Sequence, residues 1–171
     1  MPILPGMISA PIPPDEPERL QALRALLILD TPPEERFDRI VQFAAEEFDV
    51  PMALVSLVDS ERQWFKARVG LQACETGRDV SFCAHAVHAG ELLLVENALD
   101  DLRFVDNPLV TGDPHIRFYA GAPLRLRSGA VVGTLCVLDT RARRFDAVDR
   151  SILESLRDLA VAELDGGEVA A

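Results

Sequence analysis

Asp113-Pro-His-Ile-Arg-Phe-Tyr-Ala-Gly-Ala-Pro-Leu124, continued by Val131-Val-Gly-Thr-Leu-Cys-Val-Leu-Asp139, is the stretch that decides the fold. A polar segment bearing His115 and Arg117 runs into a strand. A turn follows at Arg127-Ser128-Gly129, and then an apolar, β-branched run interrupted by Gly133. That pattern predicts a β-hairpin whose body is sheet core and whose leading edge carries groups able to touch a small molecule. Strand alternation puts His115, Arg117 and Tyr119 on one face, opposite Ile116 and Phe118. Two readings stay open for the three: they line a pocket, Arg117 offering its fork of donors to a polar or anionic ligand, or Arg117 pairs with Asp101 or Asp113 and pins the loop.

Upstream, Met52 to Val58 is a near-continuous apolar run suited to a central strand, turned by Asp59-Ser-Glu61. Gln63 to Val69 alternates, with Trp64, Lys66 and Arg68 on one face and Phe65, Ala67 and Val69 on the other. This predicts a half-buried strand at a sheet edge, with Trp64 exposed. Gly70 to Arg78 reads as loop, Val80 to Ala89 as a short helix and Leu92 to Val95 as a strand. Asp100 to Gly112 reads as a second loop with one helical turn. Asn97, Asp101 and Arg103 belong to this roofing region and are candidates to gate a pocket.

Helices are expected at both ends. Leu20, Leu23, Leu26 and Leu27 have helical spacing over 16–29. Thr31-Pro-Pro-Glu34 is a start signal, with Thr31 as cap and Glu34 closing a capping box. The helix it starts buries Phe37, Ile40, Val41, Ala44 and Phe48. Asp146 caps a final helix with a stripe of Val148, Ile152, Leu156 and Leu159, widened by Leu153 and Ala160. Strands joined by tight turns and helices at both ends make an α+β architecture. Two broad apolar stripes exceed what one small sheet covers, which predicts a homodimer through residues 16–48 and 146–164, broken by charges at Leu23 and Ile152.

The chain has 171 residues, 49% apolar and 26% charged, enough for one domain with a core of its own. Its net charge of −11 disfavours nucleic acid and anionic membrane surfaces as partners. No run reaches the length of a membrane span, and the start lacks a signal peptide's basic and apolar segments, so a cytoplasmic location is expected. Residues 1–15, proline-rich, are expected to be a flexible lead, 16–165 a single domain, and 166–171 a disordered tail. Three cysteines without a CxxC spacing argue against a disulfide framework or structural zinc. His85 and His88 share a helix face but Cys83 diverges from them, so no metal site is expected. Cys136 reads as core.

The ordered set Ile28-Leu-Asp-Thr-Pro-Pro-Glu34, Pro51 to Asp59, Gln63-Trp-Phe-Lys66, Ser81-Phe-Cys-Ala-His85, Asn107-Pro-Leu-Val110, Ile116 to Leu124 and Gly133-Thr-Leu-Cys-Val137 resembles the GAF domain family, over about residues 18–164. The resemblance implies an antiparallel sheet of five or six strands with helices on both sides, a ligand pocket on one face, and terminal helices that pack together and pair in dimers. It also implies a regulatory input role in signal transduction, with a small-molecule ligand touching Cys83, His85, Asn97, Asp101, His115, Arg117 and Tyr119. The cofactor is unknown. At this length there is no room for an effector, so a stand-alone, non-enzymatic module acting on a separate signalling protein is expected.

Two rivals follow from the same resemblance. Some GAF-like proteins reduce free methionine sulfoxide, and here Cys83 would be the nucleophile and Cys74 the resolving thiol. Against this, Asn107 to Ile116 holds no cysteine and the loop at Ser81 lacks a glycine-rich turn. Phytochrome-type members attach a bilin near a His at the place of His115, but the preceding residue is Pro114, which excludes a covalent bilin at that spot.

Overall fold

The computed structural model describes residues 7–166. Two helices, α1 (Glu16–Ala25) and α2 (Glu35–Phe48), precede strands β1 (Met52–Val58), β2 (Arg62–Val69) and β3 (Glu75–Gly77). Helix α3 (Phe82–Ala89), strand β4 (Leu93–Val95) and the one-turn α4 (Pro108–Thr111) form the middle. The hairpin β5 (Phe118–Arg125) and β6 (Val131–Asp139) leads into α5 (Ala147–Leu164). The six strands form one antiparallel sheet in the order β3-β2-β1-β6-β5-β4. The expected α+β fold, with helices on both faces of the sheet, is what the chain adopts.

The sheet is buried on both faces, which explains the unbroken apolar run of β1. Ala53, Val55 and Leu57 pack with Leu23 of α1, Phe37, Ile40 and Val41 of α2, and Leu153, Leu156 and Ala160 of α5. Met52, Leu54 and Val58 turn the other way, toward Phe82, Ala86 and Val87 of α3 and toward Phe104. Helices α2 and α5 lie side by side, Arg36 at the start of α2 reaching the carbonyl and carboxylate of Glu163 at the end of α5. Asp146 caps α5 as expected, in a reciprocal box with Asp149.

Three local expectations are corrected. Thr31 does not cap α2, whose N-cap is Glu34 without a side-chain hydrogen bond. The Thr31 hydroxyl instead accepts from Lys66 Nζ at 2.8 Å, and the same ammonium bonds the Pro32 carbonyl at 2.6 Å and the Glu34 carboxylate at 2.6 Å. Second, β2 is not a simple alternating edge strand. Ala67 pairs with Val55 and Phe65 with Ser56, leaving Lys66 as a bulge. The bulge turns Lys66 and Ala67 to the helix side, where Trp64 is also buried, and leaves Phe65 facing α3. Strand β3 covers its outer edge. Third, Leu23 is fully buried against the sheet, so a charge there tests folding rather than dimerisation. The apolar side chains left exposed on the paired helices are Phe43, Val148 and Leu159.

A buried charge cluster holds α1 to the sheet. Arg19, 1% exposed, donates to the carbonyls of Val58 (2.7 Å) and Val131 (3.4 Å) and to the Glu16 carboxylate (2.7 Å). Arg78 grips the same carboxylate and the Asp59 carbonyl. Among the described residues no helix is long and apolar enough to cross a membrane.

Candidate functional site

Between the sheet and the α3 layer lies a cavity of about 410 Å³, within the range of small-molecule sites. Its floor is sheet: Leu54, Phe65, Tyr119, Cys136 and Leu138. Its roof is the loop Gly70–Ala73, Phe82 and Cys83 of α3, Leu109 of α4, and Asp113, Pro114 and Ile116 before β5. The walls are apolar apart from Gln63, Gln72, Thr76, Cys83, Asp113 and Tyr119, the proportion expected where a few polar groups orient a ligand. A larger hollow of about 580 Å³, lined by Asp30, Asp38, Gln42, Lys66, Arg68 and Cys74, is a groove beside α2.

Two polar networks meet at the cavity floor. In the first, Gln63 Oε1 accepts from Ser56 (3.1 Å) and Ser81 (2.7 Å), and Gln63 Nε2 donates to Thr76 (2.6 Å). Ser81 is the N-cap of α3, accepting from Ala84 N–H, so the helix bearing Cys83 is tied to the sheet through Gln63. The second surrounds Cys83, 2% exposed and second in α3. Thr134 Oγ1 donates to its sulfur at 3.0 Å, Tyr119 donates at 3.2 Å, and Cys136 Sγ lies 3.8 Å away. Gly121 makes this possible. The Tyr119 ring lies across it, and a Cβ there would stand 2.1 Å from the Tyr119 hydroxyl oxygen.

Burial by itself raises the Cys83 pKa, but hydrogen bonds from Cys136, Thr134 and Tyr119 outweigh it and draw the thiol down to about 6. Burial and the neighbouring Cys83 push Cys136 the other way, well above the ordinary thiol range. Tyr119 is likewise raised by burial and by Cys83, so it stays a protonated donor. Cys83 is thus the more acidic of the two thiols, and Cys136 the one that holds its proton.

The structure places the expected site residues unevenly. Cys83 and Tyr119 line the cavity; Cys74 does not, being exposed in the groove beside α2. His115 is exposed with a left-handed φ of 61°, and β5 begins only at Phe118, so strand alternation does not group residues 115, 117 and 119. Arg117 pins the loop instead, donating to the carbonyls of Val110 (2.9 Å) and Ile116 (3.1 Å). Asn97 accepts from Leu99 N–H, and Asp101 pairs with Arg103 at 2.7 Å; both shape the roofing loop without lining the cavity. Sequence reasoning missed Gln63, Thr134 and Asn107. Asn107, buried, accepts from Leu109 N–H and donates to the Val80 carbonyl, hanging α4 over the cavity. Its Asn-Pro pair at a helix start was the available signal. Among the described residues no three His, Cys, Asp or Glu side chains converge as a metal site requires.

His85 sits outside the cavity, packed edge-on against Phe104, with Nε2 at 3.2 Å from the Ile8 carbonyl. It joins α3 to the described part of the lead, where Ser9 also bonds the Asp79 carbonyl; residues 1–6 and 167–171 lie outside the described residues. Burial depresses the His85 pKa below 6.5 against the opposing hydrogen bond to the Ile8 carbonyl, with Arg103 and His88 adding to the effect and Asp101 opposing it. The unfolded chain therefore binds more protons just below pH 6.5, so this contribution is complete above that pH and declines as the pH falls through the folded value. Melting temperature is expected to drop as the pH is lowered from 7 through 6.5 and below, and less steeply in His85→Gln, which keeps a donor for Ile8. Parallel profiles for the two proteins would assign the titration to other groups.

The GAF domain family model matches residues 32–164. A cyclic di-GMP phosphodiesterase of Pseudomonas aeruginosa is 43% identical over 137 residues, which is 80% of this chain but only 23% of that protein. Among solved structures, the GAF domain of an Acinetobacter phosphoenolpyruvate-protein phosphotransferase superposes with a TM-score of 0.60 at 22% identity, over 87% of this chain and 91% of that one. A type II free methionine-R-sulfoxide reductase from Thermoplasma acidophilum gives 0.62 at 15% identity, over 74% and 88%. At these identities the two structures establish a shared fold alone.

Proposed function

The chain belongs to the GAF domain family, and on that premise we propose that it is a non-enzymatic sensory module that binds a small molecule in the cavity between the sheet and α3. The observation that carries this reading is the mostly apolar cavity of about 410 Å³ with Gln63, Thr76, Cys83 and Tyr119 converging on it. Occupancy would be felt by α3 and by the Asn97–Ile116 roof, and passed through the sheet to α2 and α5. The output we assign is control of a signalling effector in the cytoplasm; the phosphodiesterase relative supports cyclic di-GMP turnover as its setting. With a net charge of −11, neither nucleic acid nor a membrane surface is a partner in this reading.

The ligand test is a thermal-shift screen against the small-molecule fraction of a bacterial lysate. At least one fraction is expected to raise the melting temperature of the native protein and not that of Leu109→Trp, whose indole would fill the cavity from α4. Equal responses of the two proteins would place binding elsewhere. Dimerisation through α2 and α5 is the second element of the proposal, supported by the exposure of Phe43 (51%), Val148 (65%) and Leu159 (57%). Phe43→Glu with Leu159→Glu is expected to halve the mass seen by light scattering while leaving the circular dichroism spectrum unchanged. An unaltered mass would move the interface.

One observation favours a second reading, a thiol-dependent reductase of free methionine sulfoxide: Cys83 opens onto the cavity and its thiol is drawn down to about 6. The resolving thiol would then be Cys136 at 3.8 Å rather than Cys74. Sulfoxide reduction that disappears in Cys83→Ser would establish the enzyme; an inactive native protein removes it.

A further inference from the structure

We propose that Cys83 and Cys136 are a two-electron redox pair, oxidised to a disulfide by hydroperoxides that enter the cavity, and that this bond staples α3 to β6 beneath the ligand site. The inference requires that the cavity admit a peroxide, not that it hold a ligand, so it stands or falls separately from the sensory reading.

The geometry carries it. The two sulfurs are 3.8 Å apart, on the helix and the strand that face each other across the cavity floor, and both line the cavity. Rotation of the two side chains has to bring them to about 2.05 Å. The residues around them suit the chemistry. Thr134 (3.0 Å) and Tyr119 (3.2 Å) both donate to Cys83, as a thiolate requires, and Cys83 lies in the first turn of α3, where the helix dipole favours a negative charge. The third thiol, Cys74, is exposed and belongs to another hollow, so the pair has an internal comparison.

The step balances as follows. The Cys83 thiolate attacks one oxygen of the hydroperoxide. The O–O bond breaks, a sulfenic acid forms on Cys83, and the other oxygen leaves as alcohol or water after taking a proton. Cys136 then attacks the Cys83 sulfur, its proton passing to the departing hydroxide, which leaves as water. Two thiols have lost two electrons and two protons to one peroxide. A dithiol reductant reverses the bond by exchange. In the oxidised protein the Cys83 sulfur is no longer an anionic acceptor, so the hydroxyl of Tyr119, which lines the cavity, becomes available to whatever occupies it.

The test uses the full chain carrying Cys74→Ser, beside the native chain. Each is treated with hydrogen peroxide, quenched, alkylated under denaturing conditions and analysed as intact mass and as peptides. The expected result is that both remaining thiols of Cys74→Ser resist alkylation together, that a peptide pair joining residues 83 and 136 appears, and that dithiothreitol restores both. In Cys136→Ser, a dimedone adduct is expected on Cys83 in place of the cross-link. Oxidation confined to Cys74 in the native chain, a cross-link of Cys74 to either partner, or Cys136 oxidised while Cys83 remains free would each overturn the proposal.

Discussion

Gly133→Ala is expected to lower the unfolding free energy by about 3 kcal/mol or more, or to leave the protein unfolded. Gly133 pairs with Leu57 where β6 crosses β1 at the middle of the sheet. A Cβ built on it would lie 1.9 Å from the Ser56 carbonyl oxygen and 2.9 Å from the Leu57 Cα. Both are backbone atoms, so no rotamer change relieves the contact; the strands must part. Parting them breaks ladder hydrogen bonds in a sheet covered on both faces, where no water replaces them. It also shifts Ser56, and with it the Gln63 network on the cavity wall. Urea unfolding followed by circular dichroism measures the loss. A change smaller than about 1 kcal/mol would mean that β1 and β6 do not pair in this register.

Glu16→Gln is expected to cost about 3 kcal/mol, or a fall in melting temperature of roughly 6–12 °C for a chain of this size. The substitution keeps the shape and removes the charge shared by two buried guanidiniums. Arg19 would keep the carbonyls of Val58 and Val131, and Arg78 the carbonyl of Asp59, but neither would have a counter-charge from α1. The same carboxylate sets an acid limit. Partial burial raises its pKa, but hydrogen bonds and charge from Arg19 and Arg78 prevail and hold it at about 2, below the ordinary 4.5. A depressed acid contributes stability that is complete above the unfolded value and is lost as the pH falls from 4.5 toward about 2. The native protein should therefore lose more stability than Glu16→Gln over that interval. Equal slopes would show that Glu16 is not the carboxylate holding α1.

Much of this fold is written in local pattern. The apolar run of β1, the hairpin turn at Gly129, the α2 stripe from Phe37 to Phe48 and the Asp146 cap all depend on neighbours close in sequence, and all are found as read. What pattern reading misses is set by distant residues. Thr31 lies three residues ahead of Glu34, the N-cap that α2 adopts, and its hydroxyl is bound to Lys66, 35 positions away. The Lys66 bulge breaks the alternation of β2 and buries Trp64. On α5, Leu153 and Ala160 turn inward with Leu156 and Leu164 onto the sheet and α2, while Val148 and Leu159 stay exposed.

The site was legible in part for the same reason. Cys83 lies on a short helix whose start Ser81 announces, and Tyr119 lies within a recognisable strand. Alternation groups His115 and Arg117 with Tyr119 only if the strand begins at residue 115, and β5 begins at Phe118. The left-handed backbone at His115 ends that alternation before the strand starts. Cys136 and Gln63 reach the cavity from β6 and β2, strands on either side of β1, and Thr134 of β6 meets Cys83 behind it; only the sheet order brings them together.

Native mass spectrometry of the freshly purified chain, beside a denatured run and beside Leu109→Trp, tests the central claim most directly. The prediction is a dimer carrying an added small-molecule mass that disappears on denaturation and is absent from the filled variant. If the native protein and Leu109→Trp, both folded and both exposed to the same lysate fraction, show identical masses with nothing released on denaturation, the cavity is not a ligand site and the sensory account is wrong.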